Sequence, residues 1–189
     1  CLVGSEMCIR DSYYTDNGMY IKDNYKKGGY NLSIDHNLYD NLKVRFSNIL
    51  SRGVRNSNGG LAYWRNPIYP IYDESGNYWL SNANDFSHPI ALTELRKNES
   101  KSLDVISSLA LEWQLFPYLK LTSQLNYKFG KSVSDKYYPK TYTEAGQFSN
   151  GQAEIENWEG HSLVSETFAN FLKTFDRHEI SAMAGYSYE

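Results

Sequence analysis

Beyond Cys8 the chain contains no cysteine, so disulfide pairing has nothing to count in residues 9–189. It has no run of about 18 apolar residues, which excludes a membrane-spanning helix. It has no basic excess: the formal net charge is −3, and nothing points to nucleic acid. His36, His88, His161 and His178 are too far apart in sequence for a metal-ligand spacing. No nucleophile elbow, phosphate loop or dinucleotide fingerprint occurs. Glu154 and Glu156 lie in a polar stretch with no sign of a buried pocket, unlike a glycosidase pair. The expectation is therefore a chain with no catalytic residues, no metal and no cofactor. A mean hydropathy of −0.60 does not exclude a membrane, because strands that alternate lipid-facing and lumen-facing residues average out as polar.

What the chain has is tyrosine, 17 residues of it, together with 8 Phe and 4 Trp. Tyr and Trp suit the headgroup level of a bilayer, and they suit soluble sheets as well. Alternation is the stronger signal. Leu103, Val105, Leu109, Leu111, Trp113 and Leu115 are apolar, with Asp104, Ser108, Glu112 and Gln114 between them. The chain turns at Phe116-Pro117-Tyr118 and the pattern resumes. Leu119, Leu121, Leu125, Tyr127 and Phe129 then face one way, and Lys120, Thr122, Gln124, Asn126 and Lys128 the other. A period of two means strand. Each arm outruns the average strand of about 5–6 residues and meets the roughly 9–11 that a tilted bilayer crossing needs.

Two further hairpins follow the same rule. Tyr30, Leu32, Ile34 and Leu38 alternate with polar residues, Tyr39-Asp40-Asn41 turns, and Leu42, Val44, Phe46 and Leu50 continue. Residues 163–175 and 178–188 flank Asp176-Arg177, although Val164 and Leu172 fall opposite Ala169 and Phe171. Between hairpins lie residues 52–102 and 131–162, rich in Gly, Asn, Ser and Tyr. Loops beyond about 12–15 residues are uncommon in compact domains. Alternating tight turns with long loops is the build of an outer-membrane barrel. The expected fold is all-β: a fragment of an antiparallel transmembrane β-barrel of about six strands, with short periplasmic turns and long extracellular loops. Leu103, Val105, Leu109, Leu111, Trp113, Leu119, Leu121, Leu125, Tyr127 and Phe129 are expected to face lipid. A soluble, secreted β-sandwich module for carbohydrate binding or adhesion is the alternative that alternation leaves open.

Residues 1–12 fit nothing that follows and resemble a translated sequencing-adapter peptide; residues 13–189 are read as the barrel piece. An acylated Cys1 or a Cys1–Cys8 disulfide is the competing reading. No basic start followed by an apolar run is visible, so the chain is expected to begin inside a longer gene. Within the first long loop, Tyr63, Trp64, Tyr69, Tyr72, Tyr78 and Trp79 are candidates for contact with a substrate or a covering partner, because flat rings stack on sugars and anchor interfaces. The competing reading is that they pack the loop against itself. Asp73-Glu74-Ser75-Gly76-Asn77 lacks calcium-loop spacing and reads as a glycine-containing turn. Pro89–Leu95 reads as a short helix with proline near its start.

The loop segments Asn66-Pro67-Ile68-Tyr69-Pro70-Ile71-Tyr72-Asp73-Glu74-Ser75-Gly76-Asn77-Tyr78 and His88-Pro89-Ile90-Ala91-Leu92 carry a family likeness. So do the strand segments 30–37, 41–46 and 118–122, the dipeptide Tyr138-Pro139, and residues 178–187. Together they resemble the SusC/RagA-like, TonB-linked outer-membrane transporters. His88 departs from that pattern, which often has Asn there. The resemblance implies a large barrel with an N-terminal plug, of which this chain holds a part without plug or TonB box. It also implies active import of oligosaccharides, glycan fragments or peptides across the bacterial outer membrane. The implied partners are a SusD-like surface lipoprotein acting as a lid, the TonB complex reached through the N-terminal part, and outer-membrane lipid.

Overall fold

The computed structural model describes residues 5–57, 65–81 and 88–189. Seven strands form one sheet in chain order, every neighbour antiparallel. They are β1 (Ser5–Asn17), β2 (Asn24–Tyr39), β3 (Leu42–Asn56), β4 (Lys97–Phe116), β5 (Leu119–Tyr138), β6 (Gln152–Phe175) and β7 (His178–Tyr188). Two short helices, α1 (Pro89–Leu95) and α2 (Glu144–Phe148), lie in the loops after β3 and β5.

The register turns the alternation into two faces. Directly paired residues share a face, so Leu42, Trp113, Leu121 and Ala169 form one row across β3 to β6. Phe46, Leu109 and Leu125 form another, and Leu50, Val105 and Phe129 a third. All ten residues expected to face lipid lie on this apolar face. Its apolar band covers residues 42–50 of β3, 105–113 of β4 and 121–129 of β5, matching the roughly 9–11 residues of a tilted crossing. The polar residues inside the band satisfy one another: the Asn48 amide donates to Ser107 Oγ at 2.6 Å, and the Ser123 and Thr167 hydroxyls meet at 3.0 Å. Beyond the band the same face becomes charged, with Lys131 beside Glu159 at 3.2 Å.

The opposite face is polar. Near the tight turns, Asp35 binds Lys43 (3.0 Å) and Arg45 (3.5 Å), while Glu112 binds Arg45 (2.8 Å) and Lys120 (2.6 Å). These five side chains link β2 through β5. The isolated ion pairs within the network are weak where solvent reaches them, so their main effect is to fix which residues lie opposite one another.

Among the described residues nothing covers either face. Among the described residues Ala91, in a loop helix, is the buried hydrophobic residue, whereas Leu109, Leu125 and Trp113 in central strands are 39%, 43% and 44% exposed. A β-sandwich needs a second sheet about 10 Å away, and the described residues form a single layer. The sheet is open, with β1 and β7 at its edges.

Residues 40–41, 117–118 and 176–177 are tight turns at one end, and residues 18–23, 57–96 and 139–151 are the connections at the other. The segregation expected from sequence is present, but the long connections are shorter than expected. Pairing continues from Gly130↔Gly160 to Tyr138↔Gln152, and from Arg52↔Leu103 to Asn56↔Glu99. These extensions carry Ser, Lys, Asp and Glu on both faces, so they give no alternation signal, yet the backbone ladder forms regardless of side chain. Seven strands rather than about six also arises this way. Residues 5–12 pair with residues 29–36 as the first part of β1. A ladder shift between Gln114 and Phe116 leaves Leu115 as the extra residue of a bulge beside the turn. Val164 and Leu172 do point away from Ala169 and Phe171, with no ladder shift in β6.

Candidate functional site

The richest cluster of side chains lies in the loops opposite the tight turns. It begins with a small hairpin over Ile71–Trp79. The Asp73 carboxylate accepts from the Ser75 and Asn77 N–H groups at 2.9 and 2.8 Å, and Gly76 takes φ +84°, where an L side chain is strained. The Trp79 N–H donates to the Ile71 carbonyl at 3.0 Å, closing the hairpin. The glycine-containing turn expected at 73–77 is therefore formed, and Asp73 Oδ1 is used on backbone.

Arg65 ties the two arms. Its guanidinium donates to the carbonyls of Pro70 (3.3 Å) and Trp79 (2.8 Å). It sits 5.8 Å from the Tyr69 ring centre and 5.4 Å from that of Trp79, and the two rings are 4.9 Å apart. A cation against two π-faces adds roughly 0.5–1 kcal/mol each at exposed sites. Tyr72 and Tyr78 bridge across the hairpin, with ring centres 5.5 Å apart.

His88 joins this hairpin to α1, which spans the Pro89–Leu95 expected from sequence. It is 1% exposed. Its Nδ1 accepts the Ala91 N–H at 3.1 Å as the helix N-cap, and Nε2 lies 2.9 Å from the Ile71 carbonyl oxygen. The neutral tautomer with its proton on Nε2 satisfies both contacts. Asn caps a helix as well as any residue but is too short to bridge to Ile71. His88→Asn is thus expected to keep α1 and free the small hairpin. His88→Ala is expected to lose the cap as well, at about 0.5–2 kcal/mol. Amide hydrogen exchange at Ala91 and Trp79 checks both: Ala91 should stay protected in the Asn variant and not in the Ala variant.

Tyr78 is the hub. Its hydroxyl donates to the Glu94 carboxylate, and its ring lies 5.1 Å from His88 and 5.4 Å, edge-on, from Tyr142 in the loop after β5. Glu94 in turn offers its backbone carbonyl to Lys22 Nζ at 3.2 Å, from the loop after β1. The hydrogen bond to Glu94, ahead of desolvation and the carboxylate's charge, pushes the Tyr78 hydroxyl up to about 12. The folded value lies above the unfolded one, so this contact is complete below pH 10 and lost as pH rises through about 12. Absorbance at 295 nm, taken as the difference between the wild type and Tyr78→Phe, should show one phenolate appearing near 12. Its appearance near 10 would mean the contact is not made.

Of the six aromatic candidates, Tyr69, Tyr72, Tyr78 and Trp79 are brought together here; Tyr63 and Trp64 lie outside the described residues. The four pack as two pairs, Tyr69 with Trp79 and Tyr72 with Tyr78, and Tyr69 and Tyr72 remain 40% and 51% exposed beside Ile68 at 81%. Sequence reasoning missed Arg65, Glu94, Lys22 and Tyr142. No local pattern marks them, because each contributes through a contact between loops. His88 did carry a signal, immediately before Pro89 at the start of a helix. The described residues hold no group of three His, Cys, Asp or Glu suited to a metal ion.

Comparison with known proteins agrees with this architecture. The TonB-dependent receptor P3 of Formosa agariphila is 22% identical over 200 residues, a match that covers 98% of this chain and 20% of that protein. The structure of the RagAB peptide importer in its closed-closed state superposes with a TM-score of 0.75 at 15% identity, over 97% of this chain and 22% of that one. A second structure, of the RagAB peptide transporter, gives 0.75 at 16% identity with the same coverage. No family profile matches the chain. The resemblance to the SusC/RagA-like, TonB-linked transporters is therefore supported in sequence and in fold, and the sheet superposes on a stretch of such a barrel. The chain spans about a fifth of the length of these relatives.

Proposed function

We propose that this chain forms part of the wall and cell-surface loops of a TonB-dependent outer-membrane importer. Its apolar face lies against lipid and its polar face lines the channel. The tight turns face the periplasm and the long loops face outside. The observation that carries this reading is the uncovered apolar band on one side of a single-layer sheet, at the width of a bilayer crossing. Residues 1–12 are read from their sequence as an adapter-derived segment, although residues 5–12 pair with β2, and the native barrel piece is taken to begin at Tyr13.

The cargo is a peptide, glycan fragment or oligosaccharide. A peptide is favoured because the RagAB neighbours are named as a peptide importer and transporter. A SusD-like surface lipoprotein or the cargo contacts the loop that carries Tyr63, Trp64, Tyr69, Tyr72, Tyr78 and Trp79, and TonB engages the intact protein through a part outside this chain. The chain acts as a carrier, without chemistry of its own.

Two measurements on cells with the intact transporter test this. Uptake of a labelled peptide pool should stop when a protonophore collapses the inner-membrane gradient; uptake insensitive to it contradicts TonB-driven import. Replacing Trp64 and Trp79 with Ala should reduce lipoprotein co-purification or uptake at least several-fold. Unchanged values in both would remove the loop platform from the function.

A further inference from the structure

A cleft of about 390 Å³ opens between the β1–β2 hairpin and the end of β3. That volume lies within the usual range of small-ligand sites. Asp16 and Asp23 line one wall and Arg55 the other, and Asn24, Tyr25 and Asn56 complete it. Asp16 pairs with Tyr25, and Tyr25 with Arg55, so the three leave the sheet on its polar face in consecutive strands. The floor is already organised. The Asn56 amide donates to Asn24 Oδ1 at 3.0 Å, and Tyr25 lies across Gly53, where an added Cβ would be 3.2 Å from its hydroxyl. Arg55 makes no ion pair among the described residues, in contrast to Lys43, Arg45 and Lys120 nearer the tight turns of the same face. The cleft thus offers charge of both signs to a ligand.

We propose that this cleft is a subsite for the amino-terminal end of a short peptide. Asp16 receives the terminal ammonium group, and Arg55 donates to a backbone carbonyl oxygen further along the peptide. Neighbouring strands are about 4.8 Å apart, which places β1 and β3 roughly 10 Å from each other, and an extended peptide covers that in about three residues. A neutral oligosaccharide would compensate the charge of neither Asp16 nor Arg55. This inference rests on the reading that the chain belongs to a peptide importer with its polar face toward the channel.

The test uses the purified intact transporter and two pools of random-sequence octapeptides, one with free and one with acetylated amino termini, with retention measured by mass spectrometry. The free pool should be retained about tenfold better, the worth of one charge-assisted hydrogen bond. Asp16→Asn should abolish that preference, Asp16→Glu should restore it, and Arg55→Gln should weaken retention of both pools. The heat-modifiable gel mobility of each variant reports that the barrel is intact. Equal retention of both pools by the wild type overturns the subsite while leaving peptide cargo in place. Retention of neither pool overturns the peptide reading and the subsite with it.

Discussion

Replacing Leu125 with Arg is expected to destabilise the intact barrel by about 2–4 kcal/mol in a bilayer. Leu125 pairs with Leu109 on one side and Ser165 on the other, and it sits midway along residues 121–129 of the apolar band. An arginine there cannot reach the charged row at Lys131 and Glu159 without crossing the upper half of the band. Urea unfolding of the intact protein in lipid vesicles measures the loss. Asn126, one residue on, shares the polar face with Lys128 and Gln124, and the Gln124 amide donates to it at 3.0 Å. Asn126→Leu is expected to cost no more than a modest polar contact, about 1 kcal/mol. A tolerated Leu125→Arg together with an intolerant Asn126→Leu would reverse the assignment of the two faces.

The second large effect is expected at Gly146. A Cβ built there would stand 1.9 Å from the Pro139 carbonyl oxygen and 2.5 Å from Thr143 Oγ1. Both atoms are already committed: Thr143 Oγ1 donates to Pro139 O at 2.7 Å and accepts the Gly146 N–H at 3.1 Å. The loop after β5 has little room to yield, since Gly151 at φ +100° donates to the Gly146 carbonyl at 2.6 Å. Gly146→Ala should therefore open this loop at a cost of about 1–3 kcal/mol. Tyr142, held at φ +72° against Tyr78 and His88, would be released with it. Tryptic cleavage at Lys140 should speed up by at least tenfold while the strands stay resistant. An unchanged cleavage rate would show that the loop is not packed as described.

The strands were legible in the sequence where one side of the sheet is greasy and the other wet. Leu109 and Leu125, eight positions before and seven after the 117–118 turn, announce the hairpin because period-two patterning survives in both arms. The outer halves of β5 and β6 were not legible. Lys131, Ser132, Ser134, Glu154 and Glu156 do not distinguish the two faces, and only the cross-strand ladder orders them. The short helix Pro89–Leu95 and the turn at Asp73–Asn77 were readable because their chemistry is local: proline at the start of one, an aspartate and a glycine in the other. The platform was half readable. Tyr69, Tyr72, Tyr78 and Trp79 stood out as aromatic residues close in sequence. Their anchors Arg65, Glu94 and Tyr142 did not, since what identifies Tyr142 is a ring contact with Tyr78 from a separate loop.

Spin labels introduced one at a time at residues 119–129 of the intact transporter in liposomes test the assignment of faces directly. Collision rates with oxygen, which concentrates in lipid, should peak at 121, 123, 125, 127 and 129. Collisions with a water-soluble nickel complex should peak at the even positions between them. The opposite phase, or no two-residue period at all, would contradict a sheet that divides acyl chains from an aqueous channel.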